Sequence, residues 1–302
     1  MYYYSVNNYL LEKYNKKIYK LALKSGATCP NRDGTLGKGG CIFCSLDGSG
    51  SFAEPQTIDT YNQIENAKKR IIKKIPENSK FIAYFQDYSA TYAPIEHLKN
   101  IFSQAIAHPD IEILSVATRP DCLPDEVLDL LFELNKIKPV WVELGFQTSN
   151  EGTARYIHRG YTNDCFKDSV KKLKDRGIYT VAHLIIGLPN DTEQDIYNSV
   201  DYVVTQGIDG IKLHLLQVLK GTKLEKDFQN NTFETLSLDR YCELVSGCLR
   251  RIPKTVAIHR LTGDGNNNEL IAPLWSANKK HVLNTLNRYF SENNVQQGQL
   301  LD

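Results

Sequence analysis

The sequence predicts an α/β protein in which short parallel strands alternate with helices. Three observations predict it. From about residue 60 to 215, β-rich runs and helical periodicities alternate without a break. The helices carry start and stop residues where those are needed. The composition, 41% apolar and 24% charged over 302 residues, is that of an ordinary globular chain able to bury a sizeable core. Strands separated by helices imply parallel pairing with right-handed crossovers.

The elements follow in order. IYKLALK (18–24) is a first strand and KFIAYFQ (80–86) a second. Pro94 opens a helix that runs to about Ala107, because proline lacks only an N–H that a first turn leaves unused. IEILSVA (111–117) is the third strand. Pro124 opens LPDEVLDLLFELNK, whose Val127, Leu128, Leu131 and Leu134 repeat at the helical period. PVWVELGFQ (139–147) is the fourth strand, and TNDCFKDSVKKLKDRG (162–177) a helix stopped by Gly177. IYTVAHLIIGLP (178–189) gives the fifth strand and a turn. The next helix, DTEQDIYNSVDYVVTQG, has Asp191 or Thr192 as N-cap and Gly207 as stop. GIKLHLLQVL (210–219) is the sixth strand. Six such units form either an open doubly wound sheet or an incomplete barrel, with the site at the carboxyl ends of the strands. Residues 1–221 are read as this core with an N-terminal extension. Residues 222–302 are read as a mostly helical extension around a short strand, TVAIHR (255–260), with a C-terminal tail, ENNVQQGQLLD, expected to fray.

Charge and hydropathy exclude several classes. Thirty-six basic and 35 acidic residues leave a net charge of +1, so there is no global pull towards nucleic acid. No unbroken apolar run approaches the ~18 residues that a membrane helix needs, and the N-terminus lacks the pattern of a signal peptide. Seven cysteines, an odd number, in a chain without an export signal point to metal or redox chemistry in a reducing cytoplasm rather than to disulfides. No heptad pattern suggests a coiled coil, and a monomer is expected.

The loop after the first strand, ATCPNRDGTLGKGGCIFCS, holds Cys29, Cys41 and Cys44 in a Cys-x11-Cys-x2-Cys spacing. Thiolates bind soft metals and iron–sulfur clusters, and close spacing wraps one loop around one centre. The glycines of the loop let backbone fold tightly. Three readings stay open on the cysteines alone. They are small buried residues, ligands of zinc completed by a histidine, or ligands of a cubane cluster with one iron left open. Cys122, Cys165, Cys242 and Cys248 are read as structural. Cys242 and Cys248 lie six apart on a helix, about 240° round it, and cannot share one metal.

Eight stretches, in order from about residue 17 to 283, carry a resemblance: CPNRDGTLGKGGCIFC, YFQDYSATYAP, ATRPDCLP, ELGFQT, HRGYT, HLIIGLPNDT, KLHLLQVLKGT and IHRLTGDG. Together they resemble radical S-adenosylmethionine (SAM) enzymes. The match is to the bacterial YhcC/YtqA-type branch, related to the Elongator catalytic subunit and to oxygen-independent coproporphyrinogen oxidase. The long first gap between cysteines departs from the commoner Cys-x3-Cys-x2-Cys of the superfamily and is that of this branch. The resemblance implies a partial (β/α)6 barrel with a mostly helical C-terminal extension. It also implies a [4Fe-4S] cluster held by Cys29, Cys41 and Cys44. SAM would be chelated to the open iron and cleaved to a 5′-deoxyadenosyl radical that abstracts hydrogen from the substrate.

The same resemblance distributes further roles. Phe43 packs near the adenine. Gln86 and Asp87 stand where the family contacts the SAM amino group. Gln147, on the same face of the fourth strand as Glu143, contacts SAM, and Glu143 is a site carboxylate, with an ion pair to Arg119 or Arg155 as its plainer explanation. Arg119 and Arg159 are candidates for pairing with the SAM carboxylate, a substrate acid or a phosphate. His183, Ile185 and Gly187 lie on the strand whose backbone runs beside adenine. His214 alternates with Leu213 and Leu215 and faces the barrel if the leucines face the helices. IHRLTGDG (258–265), with His259, Arg260, Thr262 and Asp264, completes the substrate site.

Relatives in the Elongator group act on the wobble uridine of tRNA, and the YtqA-type branch is connected with 5-carboxymethylaminomethyl to 5-aminomethyl chemistry. The implied partners are therefore tRNA and an electron donor such as flavodoxin or ferredoxin. The phosphate contacts would come from KKLKDRG (171–177), Lys136 with Lys138, Arg250 with Arg251, and Lys279 with Lys280. Two other functions stay in view: a radical SAM enzyme acting on a small metabolite, and a zinc-binding interaction protein without catalysis.

Overall fold

The computed structural model describes residues 2–45, 59–263 and 268–301. Helix α1 (Val6–Tyr14) leads into β1 (Ile18–Leu23). Then α2 (Thr60–Ile71) precedes β2 (Lys80–Phe85), α3 (Ile95–Ala107) precedes β3 (Ile111–Thr118), and α4 (Asp125–Asn135) precedes β4 (Val140–Gln147). Helices α5 (Glu151–Tyr156) and α6 (Asn163–Asp175) lead to β5 (Tyr179–Ile186), and α7 (Glu193–Thr205) to β6 (Gly210–Leu215). The rest holds β7 (Val218–Leu219), α8 (Lys223–Gln229), α9 (Leu238–Arg251), β8 (Ala257–Arg260), β9 (Leu270–Ala272) and α10 (Lys279–Glu292).

The helix signals act as their chemistry requires. Pro94 and Pro124 stand as the N-caps of α3 and α4. Val127, Leu128, Leu131 and Leu134 are all buried. Thr192, the N-cap of α7, receives the Asp195 N–H and its own N–H reaches the Asp195 carboxylate, so two end donors are satisfied reciprocally.

Seven strands form one parallel sheet in the order β1-β2-β3-β4-β5-β6-β8. That order never reverses. A doubly wound sheet needs a reversal, which sends helices to both faces. With right-handed crossovers and sequential order, the helices cover one face and the other is left to curl into a half-barrel. The TVAIHR strand, read from sequence as lying outside the six repeats, is the seventh staple of that sheet. The run 210–219 is divided: Gly210–Leu215 stays in the sheet, and Val218–Leu219 turns away to pair antiparallel with β9.

The main core lies between the sheet and its helices. The inner face is plugged at its amino-terminal end. Trp141 stacks on Tyr179 at 4.8 Å, and Tyr9 of α1 and His259 pack edge-on against Trp141. These rings fill the amino-terminal end of the inner face.

The C-terminal tail corrects the expectation of fraying. Val295 and Gln297 are buried. The Gln297 side chain accepts from the Tyr4 N–H at 2.7 Å and donates to Pro253 O at 2.7 Å and Val256 O at 2.8 Å. One amide thus serves three backbone groups that would otherwise be unpaired. A polar composition concealed this, because the burial is of a hydrogen-bonded glutamine rather than of an apolar stretch. Gln297→Ala is expected to lower the unfolding free energy by roughly 2–3 kcal/mol, the range for orphaning buried polar groups. It should also expose the tail to protease. Urea unfolding and limited proteolysis check this, and an unchanged midpoint would refute the anchoring role.

Candidate active site

Alternate residues of each strand face the inside of the curve. On β1 these are Lys20 and Ala22, on β2 Tyr84 and Gln86, and on β4 Glu143, Gly145 and Gln147. On β5 they are His183 and Ile185, on β6 Lys212 and His214, and on β8 Arg260. All of them line one cavity of about 510 Å3. Its size suits a small ligand with a cofactor.

Glu143 lines this cavity and is fully buried. Its Oε1 accepts from Lys20 Nζ and Ser115 Oγ, each at 2.8 Å, and its Oε2 from His183 Nε2 at 2.8 Å and from Lys212 Nζ. Burial alone would raise its pKa. Lys20, Lys212 and His183 outweigh that and hold the carboxyl well below its usual range. The ion pair suggested with Arg119 or Arg155 is therefore made with two lysines instead. The same alternation that turned His214 inward marks Lys212, two residues earlier on β6, so this signal was present in the sequence. His214 lies 5.2 Å from the His183 ring, and its Nε2 is buried without a hydrogen-bond partner.

The three cysteines stand at the mouth. Cys29, Cys41 and Cys44 all line the cavity and none is in a disulfide. The Cys44 N–H donates to Cys41 O at 3.0 Å, closing a tight turn. Asn31 anchors the loop from below. Its amide donates to His158 O at 2.6 Å and lies 3.4 Å from Cys41 Sγ. Gly160, at φ +83°, makes room for it: a Cβ there would come within 2.8 Å of Asn31 Oδ1. The Cys41 thiol beside it and the charges of Arg32 and Arg119 pull Cys44 down to about 7 against its burial, while the same contact and burial push the Cys41 thiol well above its ordinary value. Without a bound centre the pair therefore favours one thiolate.

Comparison with known proteins decides the family. The sequence model of the Radical SAM superfamily matches residues 26–203, and that of the Radical SAM C-terminal domain matches residues 208–292. The chain belongs to the radical SAM superfamily. It is 42% identical to YtqA of Bacillus subtilis strain 168 over 296 residues, 98% of this chain and 92% of YtqA. It is 30% identical to Elongator complex protein 3 of Dictyostelium discoideum over 156 residues, half of this chain and 27% of that protein. Among solved structures, Elp3 of the archaeon Methanocaldococcus infernus is similar in fold, with a TM-score of 0.71 and 16% identity. The similarity covers 93% of this chain and 64% of that one.

A radical SAM protein uses a [4Fe-4S] cluster and SAM. The mouth fits that pair. The zinc-binding interaction protein is set aside by the family match. Phe43 and Ile185 pack in one apolar cluster with Ile42, Leu188 and Leu216, giving a flat-sided wall beside the thiols. Gln147 holds a left-handed backbone at φ 68°, with Tyr161 donating to both Gly145 O and its own Oε1. Such local strain is kept where a side chain must be aimed.

Three of the expected radical SAM site residues are placed differently. The fully buried Arg159 spends its donors inside the protein. They go to Tyr161 O, Phe146 O, Thr148 O, Asn163 Oδ1 and both Glu151 oxygens. It edges the cavity but clamps the end of β4 and has no donor left for a ligand. Asp87 does not reach the cavity. Its carboxylate accepts from Ser25 N and Oγ, each at 2.8 Å, and from Gly26 N, fixing the start of the cysteine loop. Gly187 lies behind the wall, where its missing side chain admits Leu236; a Cβ would meet that leucine at 2.9 Å. Arg119 lines the cavity but is paired bidentately with Asp121 at 2.9 and 2.7 Å. In the IHRLTGDG stretch, Arg260 faces the cavity, His259 belongs to the aromatic plug, and Asp264 lies outside the described residues.

Three histidines in and below this radical SAM cavity carry a pH prediction. Burial pulls His183 down to about 4 and holds His214 and His259 well below their usual value. Unfolded, each takes its proton near pH 6.5. Below that pH the unfolded chain binds more protons, so stability falls as the pH drops from about 6.5 to 4, by roughly 1.4 kcal/mol per unit per histidine. Asp191, raised to about 6 by burial, opposes this between about pH 6 and 4 and cancels one of the three. The unfolding free energy at pH 5.5 is expected to lie roughly 3 kcal/mol below that at pH 7.5. Urea titrations at the two values measure it, and equal midpoints would contradict the assignment.

Proposed function

We propose that this radical SAM enzyme acts on the wobble uridine of tRNA, converting a 5-carboxymethylaminomethyl side chain to 5-aminomethyl: the N–CH2 carbon of the departing arm would give one hydrogen atom to the SAM-derived radical, one electron back to the cluster and one proton to solvent, and water would split the resulting C=N bond to release the arm as glyoxylate. The observation that carries the enzyme reading is a single cavity with three thiols at its mouth and polar side chains from β1, β2, β4, β5, β6 and β8 within it. The similarity to YtqA along nearly the whole chain, and to Elongator complex protein 3 over half of it, supports the substrate.

In this reading Cys29, Cys41 and Cys44 hold the cluster. Bound together, the cluster and SAM supply a hydrogen-abstracting oxidant. Phe43 and Ile185 flank the adenine by apolar contact. Gln86 and Gln147 present amide oxygens to the SAM ammonium. Glu143 keeps Lys20, Lys212 and His183 in fixed positions below. His214 offers the buried ring nitrogen that has no protein partner. The half-barrel wall and its aromatic plug exclude water from beneath, which strengthens each of these polar contacts. The enzyme works as a cytoplasmic monomer supplied with electrons by a flavodoxin- or ferredoxin-type protein. No helix among the described residues is long and apolar enough to cross a membrane.

The phosphate contacts expected from KKLKDRG do not suit this reading. Lys171 pairs with Asp175, Lys172 with Asp125, Lys174 with Asp209, and Arg176 with Asp129. Lys136 pairs with Glu133 and Arg251 with Asp201. Exposed Lys38, Lys220 and Lys223, beside the cavity-lining Gly40 and Leu219, are the better phosphate contacts. The neutralised helix faces favour a second reading, a radical SAM enzyme acting on a small metabolite. Nucleoside analysis of tRNA from a strain lacking the gene separates the two. The tRNA reading predicts accumulation of 5-carboxymethylaminomethyluridine at the wobble position, and an unchanged tRNA pool would favour the metabolite.

A further inference from the structure

The turn after Cys29 brings an amide against the sulfur of a second cysteine. Arg32 N and Asp33 N donate to Cys29 O at 2.8 and 3.2 Å, so the chain reverses at once. Gly40 N donates to Asn31 O at 2.8 Å, which ties Asn31 to the residue before Cys41. Asn31 is buried there. Its side-chain nitrogen meets His158 O at 2.6 Å, Arg159 O at 3.4 Å and Cys41 Sγ at 3.4 Å. Carbonyl oxygens only accept, so the atom turned to them is the NH2 of the amide and not its oxygen. His158 holds a left-handed backbone at φ 56°, a cost kept where a group must be aimed.

That nitrogen carries two N–H bonds. His158 O takes one at the shortest distance, and the second is shared between Arg159 O and Cys41 Sγ. The Cys41 thiol also donates to His158 O at 3.4 Å. A sulfur bound to iron has no proton, so that contact is lost and the sulfur becomes an acceptor alone. The Asn31 amide then faces a thiolate, and a hydrogen bond to an ionised acceptor is stronger than one to a neutral group. Its burial strengthens the bond further. Reduction adds one electron to a thiolate-bound cluster and spreads part of that charge onto the ligand sulfurs. A donor held on one of those sulfurs stabilises the reduced form more than the oxidised form and raises the potential.

We propose that Asn31 sets the reduction potential of the cluster through an N–H···S bond to Cys41, so that a milder electron donor can reduce it. This rests on the reading of Cys29, Cys41 and Cys44 as the cluster ligands. One electron passes from the donor protein to the cluster, and no proton or covalent bond moves at Asn31. The reaction proposed above returns an electron to the cluster, and the same bond favours that return. Asn31 is uncharged, so replacing it by an apolar residue leaves the net charge of the site unchanged and isolates the hydrogen bond.

Asn31→Leu keeps the branched shape and removes the donor. The EPR signal of the reduced cluster is followed in the anaerobically reconstituted protein as the solution potential is lowered. SAM is left out, so altered SAM binding cannot imitate a shift. At the wild-type midpoint, Asn31→Leu is expected to show a reduced-to-oxidised ratio about tenfold lower, a fall of about 59 mV for one electron. A second measurement uses wild-type protein carrying 15N in the side-chain amides of its asparagines. Pulsed EPR of the reduced cluster should show a 15N coupling that Asn31→Leu loses, which a residue that only anchors the loop would not give. Equal midpoints overturn the proposal, and so does a coupling that survives in Asn31→Leu. A wild-type spectrum without the coupling also overturns it, and that spectrum decides alone if the variant holds no cluster. Wild-type protein that assembles no cluster would sink the ligand assignment and this proposal with it. Failure of any tRNA to turn over would sink the wobble-uridine reading and leave this test intact.

Discussion

Cys29→Ala, Cys41→Ala and Cys44→Ala are each expected to lower SAM cleavage by at least a thousandfold, about 4 kcal/mol of barrier. They should also lose cluster iron and sulfide. The fold should persist, because the thiols line the cavity mouth and lie outside the sheet–helix core. The loop itself is held by other contacts. Ile42 N donates to Ile157 O, Leu224 N to Ile42 O, and Asn31 to His158 O. None of these needs a cysteine sulfur. Cys242 and Cys248, buried on α9, are the controls. Their alanine variants should keep full iron content and lose only packing energy. Iron retained in all three loop variants, or lost in the α9 variants, would contradict the ligand assignment.

Glu143→Gln is expected to have the largest effect on stability, a loss of roughly 3–5 kcal/mol. The glutamine fills the same volume, so the effect isolates charge. It leaves Lys212 buried beside Lys20 with no anion between them. The double variant Glu143→Gln with Lys212→Met should recover part of the loss, since it removes the cation that the first change strands. That non-additivity distinguishes an electrostatic network from simple packing. Denaturant unfolding of the four proteins gives the coupling. A loss below about 1 kcal/mol in the single variant would show that the carboxylate contributes no net stabilisation there.

Much of this was legible in the sequence because the fold is repetitive. Each strand is short, apolar and followed by a helix with its own start and stop, so all six strands and the helices opened by Pro94, Pro124, Thr162 and Thr192 stand where their residues put them. The site was legible where alternation along a strand could be followed, as with Glu143, Gln147 and His214. The same alternation in GIKLHLL and IYKLALK marks Lys212 and Lys20, which were passed over because lysine in a strand reads as a solvated residue. What sequence could not supply was partner geometry. Nothing in HRGYT shows that Arg159 spends its donors within the protein, nor in YFQDYS that Asp87 turns back to Ser25. The docked tail was hidden for the same reason, because one glutamine bound to three backbone groups leaves no pattern in composition.

The measurement that tests the central claim most directly is conversion in vitro. The anaerobically reconstituted protein, SAM and a flavodoxin reductant are incubated with tRNA carrying 5-carboxymethylaminomethyluridine, and the digested nucleosides are quantified by mass spectrometry. The expected result is loss of that nucleoside matched by gain of 5-aminomethyluridine, with 5′-deoxyadenosine formed alongside and both absent in Cys29→Ala. Formation of 5′-deoxyadenosine with the tRNA nucleosides unchanged would keep the enzyme class and contradict the substrate.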